Sequence, residues 1–353
     1  MKRYSDVDAC VDAIIARVGN EIRLGLPLGL GKPHHLVNAL YQRAKRDPSI
    51  QLHIFTALSL EKPTGKPGLE RRFMGPFAAR QFEGVPDLDY VLDLRKGALP
   101  ANVTLSEFFF KAGSYLGDAT QQQRYICTNY THAVRDLLAA GINVVAQMVS
   151  ADPQRPDHVS LSCNPDLSLD LLPALQRKAQ AGEAIAIVGE INPQLPYMVN
   201  DAEITADQFD LLLDHPRYTH PLFGAPNMAI APADHMIGFY ASTLLRDGGT
   251  LQVGIGSLGS ALTYSTCLRH QHNAAYRALA DAVSLHSRFP ISARIGGLEP
   301  FEEGLYGCSE MMVDGFMHLH AAGILKREVF DDPDLQELLN EGAIQPQVSL
   351  AML

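Results

Sequence analysis

At 353 residues, with 46% hydrophobic and 19% charged residues, the chain is ordinary in composition for a globular protein and long enough for two domains with buried cores. Its formal net charge of -10 argues against a nucleic-acid or anionic-membrane partner, since either needs a basic face. No stretch reaches the roughly 18 uncharged apolar residues of a membrane span, and Asp6, Asp8, Asp12 and Arg17 interrupt any leader-like run. The five cysteines are scattered and never in Cys-x-x-Cys spacing, so the expectation is a reduced, cytoplasmic protein without a zinc site.

Short apolar runs alternate with amphipathic segments, the pattern of an α/β fold with largely parallel strands. An opening helix is signalled by Val7, Val11, Ile14, Ile15 and Val18 at helical spacing, with Ser5 and Asp8 as a capping box. A strand at Ile22–Leu24 runs into the glycine-rich turn Gly25–Gly31, and a helix starting near Pro33 buries Leu36, Val37, Leu40 and Tyr41. The segment Glu61–Glu70 reads as an exposed loop. Further strands are expected at Leu52–Phe55, Tyr90–Leu94, Tyr125–Cys127, Val144–Val149 and Ala184–Val188, and a helix at Leu171–Ala179. Prolines at 193, 196, 216, 221, 226 and 232 then break any long element, which places an interdomain crossing at 192–232. The expected domains are therefore 1–191 and 233–353. The second opens with a helix over Ala233–Asp247, stopped by Gly248 and Gly249, and the strand Thr250–Val253.

Three segments carry candidate chemistry. Gly25-Leu-Pro-Leu-Gly-Leu-Gly-Lys32 resembles a phosphate-binding loop but has five residues between Gly25 and Gly31 where that loop has four. Pro33 also stands where a Ser or Thr would ligate magnesium, so the segment reads as a tight strand–helix turn. Gly254-Ile255-Gly256-Ser257-Leu258-Gly259 matches G-x-G-x-x-G between a strand and a helix, yet no acidic residue ends a second strand about 20 residues later, as a dinucleotide site requires. Its bare backbone and helix-start amides suit a phosphate or a developing oxyanion. The third segment, Gly307-Cys308-Ser309-Glu310-Met-Met-Val-Asp314-Gly315, reads by itself as a surface turn with a solvated carboxylate. Nothing nearby in sequence offers a base for Cys308. His270, His272, His286, His318 and His320 lack metal-ligand spacing.

Taken together, three blocks resemble the acetyl-CoA hydrolase/CoA-transferase family, whose members include 4-hydroxybutyrate and succinyl-CoA:acetate CoA-transferases. They are Glu190-Ile-Asn192-Pro-Gln-Leu-Pro196, Asp247-Gly-Gly-Thr-Leu-Gln-Val-Gly254-Ile-Gly256 and Tyr306-Gly-Cys-Ser-Glu310-Met-Met-Val-Asp314-Gly315, in the family's order. The resemblance implies two α/β/α domains of the NagB/RpiA/CoA-transferase-like fold. It also implies Glu310 as a nucleophile that carries a glutamyl-CoA thioester, with Gly254, Ile255, Gly256, Ser257, Leu258, Gly259 and Asn192 against CoA or the acyl group. Acyl-CoA and a small carboxylic acid would be the substrates, transfer or hydrolysis the outcome, and no metal or bound cofactor is required. The alternative reading is a catalytically incomplete CoA-binding relative.

Two features depart from the family pattern. Fifty-five residues separate the Gly254 turn from Glu310, and the extra stretch, Arg269–Glu303, is expected to form either a lid or surface decoration around a helix at Ala274–Leu285. The chain also stops at Val348–Leu353 where family members continue. The expectation is an incomplete second domain, completed by self-association or by a second chain.

Overall fold

Short apolar runs, buried on both faces in the central strands, decide the architecture of the first half of the protein. The computed structural model describes residues 1–224, 228–330 and 332–344, and the chain divides into two units, Met1–Gly224 and Ala225–Leu353. Unit 1 contains strands β1 (Lys2–Tyr4), β2 (Glu21–Gly25), β3 (Gln51–Thr56), β4 (Val103–Glu107), β5 (Val144–Ala151), β6 (His158–Ser160), β7 (Ala186–Ile191), β8 (Glu203–Thr205) and β9 (Leu211–Leu213). Its helices are α1 (Val7–Val18), α2 (His34–Arg46), α3 (Leu69–Phe82), α4 (Asp89–Arg95), α5 (Ala119–Gln123), α6 (Ala133–Ala139) and α7 (Ser168–Gln180).

The main sheet runs β1-β9-β7-β5-β2-β3-β4 with every pair parallel, and β6 and β8 extend it antiparallel from β5. Successive residues point to opposite faces. Ile22, Leu24, Val144, Ala146, Ala186 and Val188 meet α1, α2 and α4 on one side, in a core with Val11, Ile14, Leu40 and Tyr90. Val145, Val149, Ile187 and Leu212 meet α6 and α7 on the other, with Leu137, Leu171, Leu172 and Leu175. The result is a three-layer α/β/α unit, each fully buried Leu, Ile or Val contributing about 1.5–3 kcal/mol of transfer free energy. Strand order reverses between β2 and β5, so the carboxyl ends of those strands form the unit's topological switch point.

Unit 2 contains α8 (Pro232–Ser242), β10 (Thr250–Gln252), α9 (Ser257–Gln271), α10 (Asn273–Ala282), α11 (Leu285–Arg288), α12 (Ile291–Ile295), β11 (Tyr306–Cys308), α13 (Asp314–Ala321) and α14 (Pro333–Asn340). Strands β10 and β11 pair in parallel, in register Thr250–Tyr306, Leu251–Gly307 and Gln252–Cys308. Two small apolar clusters hold it, one around Leu251, Val253, Phe316 and Leu319, the other around Phe239, Tyr276 and Leu285. Helices α8 and α9 touch backbone to backbone: a Cβ on Gly238 would stand 2.6 Å from the Ala261 carbonyl oxygen. No helix among the described residues is long and apolar enough to cross a membrane.

Several elements differ from the sequence reading. Asp6, not Ser5, caps α1, its carboxylate accepting the Ala9 N–H at 3.1 Å. Tyr90–Leu94 is helical, with the adjacent Tyr90 and Val91 turned into the core and the Tyr90 hydroxyl reaching Ser59 at 2.8 Å. Tyr125–Cys127 forms no strand, although the Ile126 N–H donates to the Glu107 carbonyl at 3.0 Å. Inside the stretch 192–232, β8 and β9 join the sheet of unit 1, since Leu211–Leu213 is apolar enough to bury on both faces. Residues 225–227 of that stretch, Pro226 among them, and Val348–Leu353 lie outside the described residues.

Candidate active site

Two side-chain clamps bring the second and third sequence blocks together in unit 2. The Asp247 carboxylate accepts from the N–H groups of Gly248 (3.1 Å), Glu302 (2.8 Å), Glu303 (3.0 Å) and Gly304 (2.9 Å), tying the approach to β10 to the approach to β11. Burial works to raise its pKa, but these backbone donors prevail and hold it below the ordinary value. At the other end of the strands, the Ser309 hydroxyl lies 2.7 Å from the Val253 carbonyl and 2.6 Å from that of Met311. Val253 in turn donates its N–H to the Cys308 carbonyl at 3.2 Å.

This register fixes what stands beside what. Gly254 and Glu310 each lie two residues past the last paired residues, Gln252 and Cys308, so both leave neighbouring parallel strands at the carboxyl end. Gly254 and Ile255 are exposed, Gly256 and Ser257 half-buried, Leu258 exposed and Gly259 half-buried. Gly256, at φ +125°, ends the turn and serves as the N-cap of α9. A Cβ on Gly259 would meet the Gly254 carbonyl oxygen at 2.4 Å, so the first helical turn lies directly on the loop. Among the described residues, nothing lies within 4 Å of where a Cβ on Gly254 or Gly256 would stand. The first-turn amides of α9 have no intrahelical acceptors and carry the positive end of the helix dipole. Glu310 is exposed at the end of β11. An exposed carboxylate and a bare helix start thus leave neighbouring strands at the same end.

The other candidates fall elsewhere. Asn192 lies in unit 1 and is fully buried. Its side-chain amide donates to the His220 carbonyl at 3.0 Å, and its oxygen accepts the Gln194 N–H at 3.1 Å, so it holds the turn after β7. The Gly25–Lys32 turn is packed shut: Lys32 is buried, with its ammonium on the Thr56 hydroxyl at 2.9 Å. Cys308 sits half-buried on β11. His270 accepts the Phe301 N–H at 3.1 Å. The long stretch after α9 is an integral part of unit 2. The buried Arg269 guanidinium binds the carbonyls of Glu299 (2.7 Å), Leu245 (2.7 Å) and Ser242 (3.2 Å), and Tyr276 and Leu285 pack on Phe239.

Unit 1 holds two polar clusters that no motif announced. Around Lys32, Glu107 accepts from Tyr115 (2.6 Å) and the Ser59 N–H (2.9 Å), while Asp166 accepts the Leu28 N–H (2.7 Å). At the start of α2, the buried Glu190 carboxylate accepts the Leu36 N–H at 2.8 Å, between His35 and His220. These groups come from strand ends and loops distant in sequence, and only Lys32 and Glu190 stand in segments that the sequence singles out.

No family model matches the chain. A curated 4-hydroxybutyrate coenzyme A transferase from Clostridium kluyveri is 22% identical over 260 residues, which are 73% of this chain and 51% of that protein. Among solved structures, RipA from Yersinia pestis superposes with a TM-score of 0.57 at 18% identity, covering 92% of this chain and 59% of that one. A 4-hydroxybutyrate CoA-transferase from Porphyromonas gingivalis gives a TM-score of 0.47 at 17% identity, over 92% of this chain and 58% of that one. The chain thus spans little more than half the length of each. In sequence the chain is similar to a CoA transferase, and in its α/β fold to RipA.

Proposed function

We propose that the protein exchanges coenzyme A between an acyl-CoA and a small carboxylate, with Glu310 as the nucleophile. The Glu310 carboxylate attacks the thioester carbonyl, forming an acyl–glutamyl anhydride and releasing CoA thiolate. The thiolate attacks the glutamyl carbonyl, expels the acyl carboxylate and leaves a glutamyl-CoA thioester. An incoming carboxylate reverses the two steps; water attacking the thioester instead gives net hydrolysis. The amides of the Gly254–Gly259 turn receive the oxyanion or the CoA chain. The observation that carries this reading is the register of β10 and β11, which sets Gly254 and Glu310 at equivalent points past neighbouring strands. The match to a curated CoA transferase supports it.

Incubation with acetyl-CoA followed by intact-protein and peptide mass spectrometry is the test. The expected result is a mass addition on the peptide carrying Glu310. Glu310→Gln, with nearly the same shape but no attacking oxygen anion, loses turnover at least about a thousandfold, several kcal/mol of barrier, while still binding CoA. A mutant retaining a tenth of the wild-type rate would remove Glu310 from the mechanism.

The sheet of unit 2 favours a second reading, a subunit completed by another chain or copy. Among the described residues it consists of β10 and β11 with one bridge at Leu305–Leu325, and Ile237 and Met317 are exposed apolar side chains. CoA binding without labelling of Glu310, restored to labelling by a second component, is the outcome specific to it.

A further inference from the structure

A cluster in unit 1 stands outside this chemistry. His35, in the first turn of α2, Glu190, near the end of β7, and His220, after the 3-10 turn Pro216–Tyr218, each offer a ligand atom, and the three atoms lie within 4.8 Å of one another. Glu190 is 0% exposed and His220 4% exposed. His35 Nε2, Glu190 Oε1 and His220 Nε2 are all buried without a hydrogen-bond partner. Buried polar atoms are almost always satisfied, and leaving one orphaned is costly. Three of them on three clustered side chains, two on imidazoles and one on a carboxylate, point to a shared partner.

The surrounding contacts prepare those atoms as ligands. His220 Nδ1 lies 3.0 Å from the Pro221 carbonyl, an acceptor, so Nδ1 carries the proton and the lone pair is on Nε2. Glu190 Oε2 is occupied by the Leu36 N–H at 2.8 Å, which orients the carboxylate and leaves Oε1 for another partner. His34 stacks on His220 with centroids 5.6 Å apart and 17° between planes, and Tyr218 flanks His35 at 5.3 Å, limiting ring rotation. His35 is only half-buried, which gives an entry path.

We propose that His35, Glu190 and His220 bind one divalent transition-metal ion through two imidazole nitrogens and one carboxylate oxygen. Imidazole donors favour zinc, cobalt, iron or copper over magnesium and calcium, which prefer oxygen. Ligand atoms around a tetrahedral zinc stand about 3.4 Å apart, so closure asks for a contraction of roughly an ångström, mostly from the half-exposed His35 ring. Three protein ligands leave a position open to water or a small ligand, as in sites that act on substrates. The proposal is independent of the role given to Glu310.

The test is cobalt(II) and zinc(II) added to the chelator-treated full chain. The expected result is one cobalt per chain, with visible d–d bands and no thiolate charge-transfer band, displaced by zinc, and a higher melting temperature in excess metal. His220→Ala and His35→Gln each weaken binding by more than about tenfold, and Glu190→Gln, which keeps the acceptor for Leu36, does the same without unfolding the protein by circular dichroism. Cys127→Ser, at the exposed thiol, binds as wild type. Failure of the wild type to bind one equivalent overturns the proposal. So does binding that survives in folded His35→Gln and Glu190→Gln, or that disappears in Cys127→Ser.

Discussion

The two glycine-rich turns, Gly25–Lys32 and Gly254–Gly259, look alike in sequence: each follows a parallel strand and leads to a helix. In the structure they do opposite things. A Cβ on Gly31 would stand 2.6 Å from the Gln147 side-chain nitrogen and 2.8 Å from the Asn164 carbonyl oxygen, and the Gly31 N–H is bonded to Asn164 at 3.1 Å. Above Gly254 and Gly256 there is open space. In the first turn the protein packs against Gly31; in the second it closes on Gly259 alone, and among the described residues nothing packs over Gly254 and Gly256. Gly256 is called for by its own backbone, at a φ of +125°, and it leaves the surface of the turn bare.

The largest effects come from filling each turn. Gly256→Val is expected to fold, with a modest loss of stability from the positive φ, and to lose CoA binding or acyl transfer by about tenfold or more. Gly31→Val is expected to lower unfolding free energy by about 3 kcal/mol or more through overpacking, since the Asn164 backbone cannot swing away. Urea denaturation and CoA titration of both variants separate the two. Normal CoA binding and activity in Gly256→Val would make the second turn structural as well and erase the contrast.

A subtler difference is electrostatic. Burial pushes the Lys32 ammonium in the first turn down to about 8 from its ordinary 10.5, although the nearby Glu107 and Asp166 carboxylates pull the other way. Between those pH values the unfolded chain holds a proton that the folded chain has lost, so this residue's contribution to stability rises with pH from 8 to 10.5. At neutral pH the charged form is disfavoured by roughly 3 kcal/mol. Lys32→Met should remove that slope. The direct measurement is the difference in unfolding free energy between wild type and Lys32→Met across pH 8–10.5, which cancels the titration of Cys10 and the buried tyrosines. A flat difference would mean that Lys32 is solvated in the native state.

What could be read from the sequence follows from the range of the interaction responsible. Strands β2, β3, β5 and β7 are legible because a short apolar run is a local signal, and the Gly254 and Glu310 blocks are legible as motifs. Strand β4 was missed because Ser106 and Glu107 interrupt its apolar pattern; both are buried there, Glu107 beside Tyr115 and Ser59. Tyr90–Leu94 was misread because a short apolar run has no intrinsic period, and only the packing of α4 on α2, through Tyr41 to Asp93 at 2.6 Å, selects the helix. The cluster of His35, Glu190 and His220 joins a helix start, a strand end and a loop, and no spacing rule reaches across such distances.

The smallest expected effect tests the opening helix. Ser5 and Asp8 suggested a capping box, but the cap is Asp6, with extended backbone at φ -126°, ψ 128° and its carboxylate on the Ala9 N–H. Asp6 also pairs with Arg217, from the loop after β9, and this pair with the backbone donors holds its carboxyl below the ordinary value. Both interactions are solvent-exposed, so screening keeps the gain small. Asp6→Ala should lower the melting temperature by about one or two degrees and Ser5→Ala should leave it unchanged. The Asp6→Ala deficit should shrink as pH falls through the depressed carboxyl value, because a protonated Asp6 no longer favours the helix start or Arg217. Thermal melts of the two variants at pH 7 and pH 3 decide it; an equal loss in Ser5→Ala would return the cap to the residue that the sequence pattern suggested.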